Sequence, residues 1–223
     1  MVIGQVGALS LRAQRGTQPV QVARAVAVAG AGFEGDIHAD PVSPRQLLLA
    51  SAPVYDTFGL PAHALRENLL VDVDTASLAS GTILQLGNDV RIRLMFQCEA
   101  CGQLDLQRRG LAAALGSRRG MLARVIASGI VVAGDTIMQL DGRMPAWPDD
   151  WRERVLAVLD AVPPGCVVDY ARLARMAGIQ PSYCRAFPRL LDRLGADYAV
   201  KAVPARATAT LPRWDGSGLF DRM

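Results

Sequence analysis

Two of the four cysteines lie in one short motif, Cys98-Glu99-Ala100-Cys101-Gly102, directly after a run of β-type residues from Val90 to Phe96. A thiol at the end of a strand can be exposed to a ligand, whereas a cysteine inside an element is usually buried in the core. The Cys-x-x-Cys spacing serves thiol redox chemistry, half of a zinc site, sulfur transfer or no chemistry at all. The residues around the motif must decide between these chemistries.

Charged side chains that suit an anionic ligand occur on several other loops. Gly35-Asp36-Ile37-His38-Ala39-Asp40 holds two acids and a histidine, although a turn with self-capping aspartates explains it equally well. Arginines recur at Arg45, Arg66 and Arg118-Arg119, and a guanidinium group forms paired hydrogen bonds with phosphate. Each arginine alone is better explained as a solvated surface charge, but together they favour an anion pocket.

The composition describes a globular protein, with 51% hydrophobic and 20% charged residues in a chain of 223. We expect a cytoplasmic protein with reduced cysteines and no membrane partner, because no apolar run reaches about 20 residues and no leader pattern precedes the first strand. The net charge of +3 belongs to residues 143–223, since residues 1–142 carry 12 basic and 12 acidic side chains. Lys201 is the only lysine, which argues against a lysine-bound cofactor in the first part.

Residues 141–150 are rich in proline, glycine and acids, and the sequence pattern changes across them from β-type runs to helical periodicity. This change predicts two domains, at 1–142 and 148–223. The fold class we expect is α+β, with a β-rich first domain and a smaller, mainly helical second one. Helices in the first domain are expected around Arg45–Phe58 and near Leu111–Leu115. The expected strands are Val2–Leu11, Val20–Val28, Leu69–Val73, Ile83–Leu86, Val90–Phe96, Leu122–Ala127 and Thr136–Leu140.

The second domain has the period of helices. Asp149 and Asp150 are candidate caps for a helix that begins near Trp151, and a second helix is expected at Tyr170–Ala177. Ser182 is the candidate cap of a third helix, in which Pro188 should cause a kink or a shortening. Two short helices around Gly178-Ile179-Gln180-Pro181 predict a helix-turn-helix.

The first part resembles the MOSC domain, named for the C-terminal domain of molybdenum cofactor sulfurases, over roughly residues 1–140. The ordered motifs that carry the resemblance are Gly35-Asp36-x-His38, Arg66-Glu67-Asn68-Leu69, Cys101-Gly102-x-Leu104, Arg119-Gly120 and Gly129-x-x-x-x-Gly134-Asp135. Several motifs in order are more specific than any one of them.

This resemblance implies a barrel-like domain that binds molybdenum cofactor or a related pterin-type ligand. Cys101 matches the family cysteine and would ligate molybdenum or pass sulfur between a donor and an acceptor. Asp36 and His38 would lie at the ligand, and Asn68 would hydrogen-bond its heterocycle. The ligand phosphate would face four arginines, Arg45, Arg66, Arg118 and Arg119.

Cys98 has two candidate roles. It is either the resolving thiol for a persulfide on Cys101 or a structural side chain, and we favour the structural role. A zinc site from Cys98, Cys101, Cys166 and Cys184 is disfavoured because the last two lack a paired spacing. A plain thiol oxidoreductase is disfavoured because no βαβ pattern surrounds the motif.

Residues 148–216 resemble the DNA-binding winged helix of alkylguanine alkyltransferases and alkyltransferase-like proteins. The matching stretch runs from Pro163-Pro164-Gly165 through Tyr170 to Cys184-Arg185-Ala186. It implies duplex DNA as a partner, with Tyr170 helping to rotate a damaged nucleotide outward and Arg185 filling its place. The catalytic Pro-Cys-His-Arg is replaced by Val203-Pro204-Ala205-Arg206, so alkyl transfer is not expected.

The leading hypothesis is therefore a cofactor-binding domain, with Cys101 in metal ligation or sulfur transfer, joined to a DNA-binding domain. The alternative is a non-catalytic module that binds alkylated DNA and uses the first domain as a sensor or scaffold. An inert or protein-binding second domain is an equal alternative to DNA binding, because the net charge of this domain is small.

Overall fold

In a computed structural model, described for residues 1–208 and 210–221, the first of two compact units is built around a closed β-barrel. This unit comprises Met1–Pro41 and Arg45–Trp147. Its strands are β1 Val2–Leu11, β2 Val20–Val22, β3 Arg24–Val28, β4 Gly32–Phe33, β5 Leu47–Ser51, β6 Leu69–Val71, β7 Thr82–Leu86, β8 Val90–Gln97, β9 Met121–Ala127, β10 Gly129–Val132 and β11 Thr136–Arg143. Its helices are α1 Ala52–Phe58, α2 Leu111–Leu115 and the 3-10 turn Gly116–Arg119.

Seven strands pair in the order β11-β7-β8-β9-β5-β6-β1, and β11 returns to pair with β1, which closes the barrel. Every pairing in this ring is antiparallel except that of β5 with β6. β2 extends the sheet beyond β1, while β10, β3 and β4 form a separate three-stranded sheet. Closure leaves the seven barrel strands without a free edge inside the ring.

Alternate side chains of the strands point inward and fill the barrel. On β7, Thr82, Leu84 and Leu86 are buried while the residues between them are partly exposed. All five residues of β5 are buried because the core of the barrel covers one face and a smaller apolar cluster, including Ala50, Val54 and Leu115, covers the other. This second cluster holds α1 and α2 beside β5.

The expected strands form, with Val20–Val28 divided into β2 and β3, and the helix expected at Leu111–Leu115 is α2. The helix expected over Arg45–Phe58 is wrong in its first half, where Leu47–Ser51 is β5 and only Ala52–Phe58 is helical. A fully buried strand has no polar face, so its apolar run cannot be separated from a buried helix by periodicity. The short strands β4 and β10 were not predicted.

The second unit, Val42–Pro44 with Pro148–Met223, is mainly helical where the structure describes it. Its elements are α3 Trp151–Ala161, α4 Tyr170–Met176, α5 Phe187–Leu194, α6 Ala196–Ala199, the 3-10 turn Pro181–Ala186, and the parallel pair of β12 Val168–Asp169 with β13 Ala202–Val203. Asp150 caps α3 by accepting from the N–H groups of Arg152 and Glu153. No helix among the described residues is long and apolar enough to cross a membrane.

The third helix of this unit begins later than expected. Ser182 lies inside the 3-10 turn and forms no cap, and α5 starts at Phe187. Pro188 then falls in the first turn of α5, where its missing N–H has no helical partner to lose. The proline therefore shortens the helix from its N-terminal side and does not kink it.

Candidate functional site

A cavity of about 260 Å³ opens on the first unit and brings together three side chains that the sequence singled out, Cys101, Arg66 and Arg119. The remaining lining residues are Gln18, Ala64, Gln103, Leu104, Leu106 and Gln107. The thiol and the two guanidinium groups come from three separate segments, which only the fold brings together. We call this cavity the Cys101 pocket.

Arg119 is the buried cation of the pocket. Its side chain follows the 3-10 turn after α2, is 8% exposed, and donates from Nη1 to the carbonyl oxygen of Leu65 at 2.8 Å. The Nε–H group is buried and has no hydrogen-bond partner among the described residues. The next residue must be glycine, because Gly120 has a φ of 130° and a Cβ there would collide with the carbonyl oxygen of Leu49. A buried donor without an acceptor is a place where a ligand atom would be stabilised.

Arg66 is the second cation, and its backbone is held in an unusual conformation. Its φ of 58° lies in the left-handed region, as does the φ of 60° at His63. The guanidinium group donates to Gln103 Oε1 at 3.3 Å and to the carbonyl oxygen of Thr17 at 3.4 Å. Such conformations persist only where the surrounding structure enforces them, and they are frequent at ligand sites.

A buried acid and a tyrosine enforce the conformation of this segment. Glu67 is 3% exposed and accepts from the hydroxyl of Tyr55 at 2.5 Å, while the same hydroxyl accepts from the N–H of Leu65 at 3.1 Å. Burial and the neighbouring Glu67 carboxylate raise the pKa of Tyr55 far above its ordinary value. Since Arg119 binds the carbonyl oxygen of Leu65, one peptide segment connects Tyr55 to both pocket arginines.

Asp36 is the centre of a second polar cluster. Its Oδ1 accepts from the N–H and the Nδ1–H of His38, and its Oδ2 accepts from the N–H of Arg12 and from Asn68 Nδ2. Burial alone would raise the pKa of Asp36, but the hydrogen bonds from His38 and Arg12 outweigh it, so that the pKa lies below its ordinary value. His38 Nε2 accepts from Arg12 Nη2 at 2.9 Å, because a guanidinium group can only donate.

The amide of Asn68 is also fully engaged. Its Oδ1 accepts from the N–H of Leu48, and its Nδ2 donates to the carbonyl oxygen of Ser10 and to Asp36. Asn68 is only 5% exposed. Asp36, Asn68 and His38 are therefore close to one another but do not line the Cys101 pocket.

A comparison with known protein families matches part of the first unit. Residues 44–138 match the MOSC domain. This segment contains Arg45, Arg66, Asn68, Cys101 and Arg119, whereas Asp36 and His38 precede it. No curated protein sequence matches the chain.

Solved structures with a similar fold come from several bacteria. YiiM from Escherichia coli is 19% identical with a TM-score of 0.50, covering 84% of this chain and 90% of its own. The YuaD protein from Bacillus subtilis is 19% identical with a TM-score of 0.51, covering 60% and 93%. A hypothetical protein is 22% identical with a TM-score of 0.55, covering 86% and 91%. At these identities the likeness concerns the fold.

Two further arginines of the matched segment lie away from the pocket. Arg45 approaches Cys98, with 3.7 Å between Nη2 and Sγ. Arg118 donates to the carbonyl oxygens of Ala114 and Leu115 and lies over the ring of Phe58. Arg118 thus closes the C-terminal end of α2, while its neighbour Arg119 turns inward. Of the four predicted arginines, the structure brings Arg66 and Arg119 together with Cys101.

The two sulfurs of the Cys-x-x-Cys motif have different surroundings. Cys98 is 2% exposed, and Cys101 is partly exposed in the pocket. All four cysteines are free thiols, and the described residues contain no group of three or more histidine, cysteine or acidic side chains that could hold a metal ion.

Sequence reasoning missed the amides of the pocket and Arg12. Gln103 and Gln107 line the pocket on the segment that follows Cys101, and Gln18 lines it from the loop after β1. Gln103 follows Cys101 by only two residues, which was a usable signal. Arg12 carried no such signal, because it reaches His38 only through the pairing of distant segments.

In the second unit, Tyr170 begins α4 and Arg185 ends the 3-10 turn before α5. The ring of Tyr170 packs edge-on against Phe187, with 5.4 Å between centroids, and its carbonyl oxygen accepts from Cys184 Sγ. Arg185 is exposed. Cys184 therefore packs within the unit.

Proposed function

We propose that the Cys101 pocket binds a molybdenum cofactor-type ligand, a pterin with a phosphate group, and that Cys101 is its sulfur ligand or its sulfur carrier. The observation that carries the proposal is the convergence of one accessible thiol with two guanidinium groups, one of them buried with an unused donor. The match of residues 44–138 to the MOSC domain supports the same ligand class.

The donor set suits such a ligand. Arg66 and Arg119 would bind the phosphate, because guanidinium groups favour phosphate oxygens and neither arginine has a carboxylate partner among the described residues. Thiolate is a soft ligand of the kind that suits metals bound through sulfur. Gln103 and Gln107 offer amides to the heterocycle.

The size of the pocket limits how much of the ligand it encloses. Cavities that enclose a drug-sized ligand measure roughly 300–1,000 Å³, and this one measures about 260 Å³. We therefore assign to the pocket the phosphate and the part of the ligand nearest the sulfur. The remainder would lie across the open mouth beside Leu106, whose side chain is 87% exposed.

The chain's own residues define the chemistry. When bound, the cofactor supplies a metal centre for atom transfer. The sulfur of Cys101 would act as the ligand or the nucleophile, in the pocket that Arg66 and Arg119 also line. In the sulfur-transfer variant, the thiolate attacks the outer sulfur of a donor persulfide, a new S–S bond forms on Cys101, and the donor leaves as a thiolate.

The test is expression in cells that make molybdenum cofactor, followed by assays of metal content, pterin fluorescence and persulfide. We expect a bound pterin that Cys101→Ser and Arg119→Gln reduce, with Cys166→Ser of the second unit as the matched control. A purified protein with neither pterin nor Cys101-dependent persulfide would refute both variants of the proposal.

A second candidate function is DNA binding by the second unit. The observation that favours it is a row of exposed arginines, Arg185, Arg189 and Arg193, spaced by four residues from the end of the 3-10 turn along α5. Such a row would contact phosphates along one side of a duplex, while Tyr170 would act on an alkylated base.

Titration of duplexes with and without an alkylated guanine, at two salt concentrations, separates phosphate contacts from base recognition. We expect Arg189→Gln to weaken binding to both duplexes and to flatten the salt dependence by about one phosphate contact. Tyr170→Phe should reduce only the preference for the alkylated duplex. Absence of binding to either duplex would remove this candidate and leave the proposal for the Cys101 pocket unaffected.

A further inference from the structure

The sheet formed by β10, β3 and β4 exposes an apolar face. On β3 the alternation buries Ala25 and Ala27 and exposes Val26 and Val28 at 39% and 40%. On β10 it buries Val131 and exposes Ile130 and Val132 at 52% and 39%. We call the four exposed side chains, Val26, Val28, Ile130 and Val132, the valine face.

The four side chains are neighbours across and along the sheet. Val26 lies opposite Ile130, and Val132 lies opposite Arg24 at the start of β3. Ile126 on β9 is also exposed, at 37%. A protein that exposes β-branched residues in register, next to buried alanines on the same strands, presents a contiguous patch and not scattered apolar residues.

The valine face has one charge of each sign beside it. Arg24 is the outward residue two positions before Val26, and Glu34 lies beside Val26 on the other side, where its N–H donates to the carbonyl oxygen of Val26. Both side chains are exposed. Within residues 1–208 and 210–221, neither forms a hydrogen bond or an ion pair through its side chain.

These positions make the face complementary to itself. On an ideal antiparallel ladder, with about 4.8 Å between strands and about 3.4 Å per residue, Arg24 and Glu34 are roughly 8 Å apart. In the plane of the sheet, the perpendicular bisector of the line from Arg24 to Glu34 passes between Val26 and Ile130. This point is the centre of the valine face. A two-fold axis along that line superimposes the apolar side chains of two copies and places Arg24 of each copy over Glu34 of the other.

We propose that the valine face is the contact surface of a homodimer, in which two copies of this chain pack face to face and form two Arg24–Glu34 ion pairs. The four side chains cover on the order of a few hundred Å², which is small for a stable interface. The dimer is therefore a weak, concentration-dependent one, in which the ion pairs fix the orientation.

Sedimentation equilibrium over about 1–100 µM full-length protein measures this association. We expect wild type to show a monomer–dimer equilibrium and Ile130→Asp to be monomeric throughout, because each copy would bury an unpaired carboxylate. Arg24→Glu and Glu34→Arg should each weaken the dimer by about tenfold or more, and the double variant Arg24→Glu/Glu34→Arg should restore it.

Val20→Asp is the matched control, since Val20 is 66% exposed on β2 and lies outside the valine face. It should leave the equilibrium unchanged. A wild type that is monomeric at every concentration would overturn the proposal, as would a dimer that tolerates both Ile130→Asp and Arg24→Glu. Failure of the charge exchange to restore association, with Ile130→Asp monomeric, would reject the two-fold arrangement.

Discussion

The two polar clusters of the barrel unit differ in how completely their hydrogen bonds are made. Around Asp36, both carboxylate oxygens and the amide of Asn68 have partners within the protein. Around Cys101, the Nε–H of Arg119 has none among the described residues, and Arg66 is held by two long bonds to neutral oxygens. The first cluster is complete without a ligand, and the second is not.

This difference assigns different tasks to residues that look alike in the sequence. A saturated cluster contributes to stability and fixes the loop before β5, because every buried polar atom is compensated. An unsaturated cluster of cations costs stability and is retained where a ligand later compensates it. Stability and ligand affinity should therefore respond to different substitutions.

The largest effect is expected from Asp36→Ala. It removes the acceptor of four hydrogen bonds, from the N–H groups of Arg12 and His38 and the side chains of His38 and Asn68. The free energy of unfolding should fall by about 3–5 kcal/mol, measured by urea denaturation. Arg119→Gln should change it by less than about 1 kcal/mol, because its buried charge lacks an ion pair. Equal losses in the two variants would erase the distinction between the clusters.

The next effect concerns anion affinity at the pocket. Arg119→Gln should weaken the binding of inorganic phosphate, used as the probe, by about 10–100-fold, since a charge-assisted hydrogen bond contributes about 1.5–3 kcal/mol. Arg118→Gln is the matched control, because that neighbour binds carbonyl oxygens at the end of α2. Isothermal calorimetry measures both. Similar losses in the two variants would show that general charge, and not the pocket, attracts the anion.

The two sulfurs should differ in reactivity by about tenfold or more, because labelling requires access to the thiolate. Cys101 lines the pocket, and Cys98 is 2% exposed. Timed alkylation followed by peptide mass mapping resolves each site and uses the partly exposed Cys166 as an internal reference. Phosphate should slow the labelling of Cys101 only. Faster labelling of Cys98 would exchange the roles assigned to the two cysteines.

A smaller effect is expected from pH, because protonation of Asp36 removes its charge but leaves its shape. The pKa of Asp36 is lowered in the folded state, so its contribution to stability is present above its unfolded pKa and is lost as the pH falls through the folded pKa. Urea midpoints of wild type should fall as the pH is lowered below about 4. Asp36→Asn should lack this component, and parallel pH curves for the two proteins would contradict it.

Much of the barrel could be predicted from the sequence, because alternation marks a strand with one buried face. The prediction of strands failed at Leu47–Ser51, where burial on both faces removes the alternation. It also failed at Gly32–Phe33, which is too short to show a pattern. Ser182 is of a residue type that often caps helices, but it lies inside the 3-10 turn at Pro181–Ala186. The sequence did not reveal this turn, and α5 therefore starts later than predicted.

At the candidate site, residue types predicted that Cys101, Arg66 and Arg119 bind the ligand, but they could not distinguish Arg119 from Arg118. The two are adjacent, and only the 3-10 turn determines which side chain enters the pocket. Nor could the sequence show that Asn68 is saturated, because its partners Ser10, Asp36 and Leu48 lie on other segments.

The strand β1 has a consequence for the order in which the barrel can form. It pairs with β2, β6 and β11, and the bond from the amino group of Met1 to Gln139 joins residues 138 positions apart. During synthesis, the first strand leaves the ribosome long before the strand that closes the ring on it. The backbone groups on the edge of β1 stay unpaired until β11 has been made, and pairing between such distant segments makes closure of the barrel slow. A chaperone that shields β1 should therefore raise the yield of folded protein more than one that acts on the second unit.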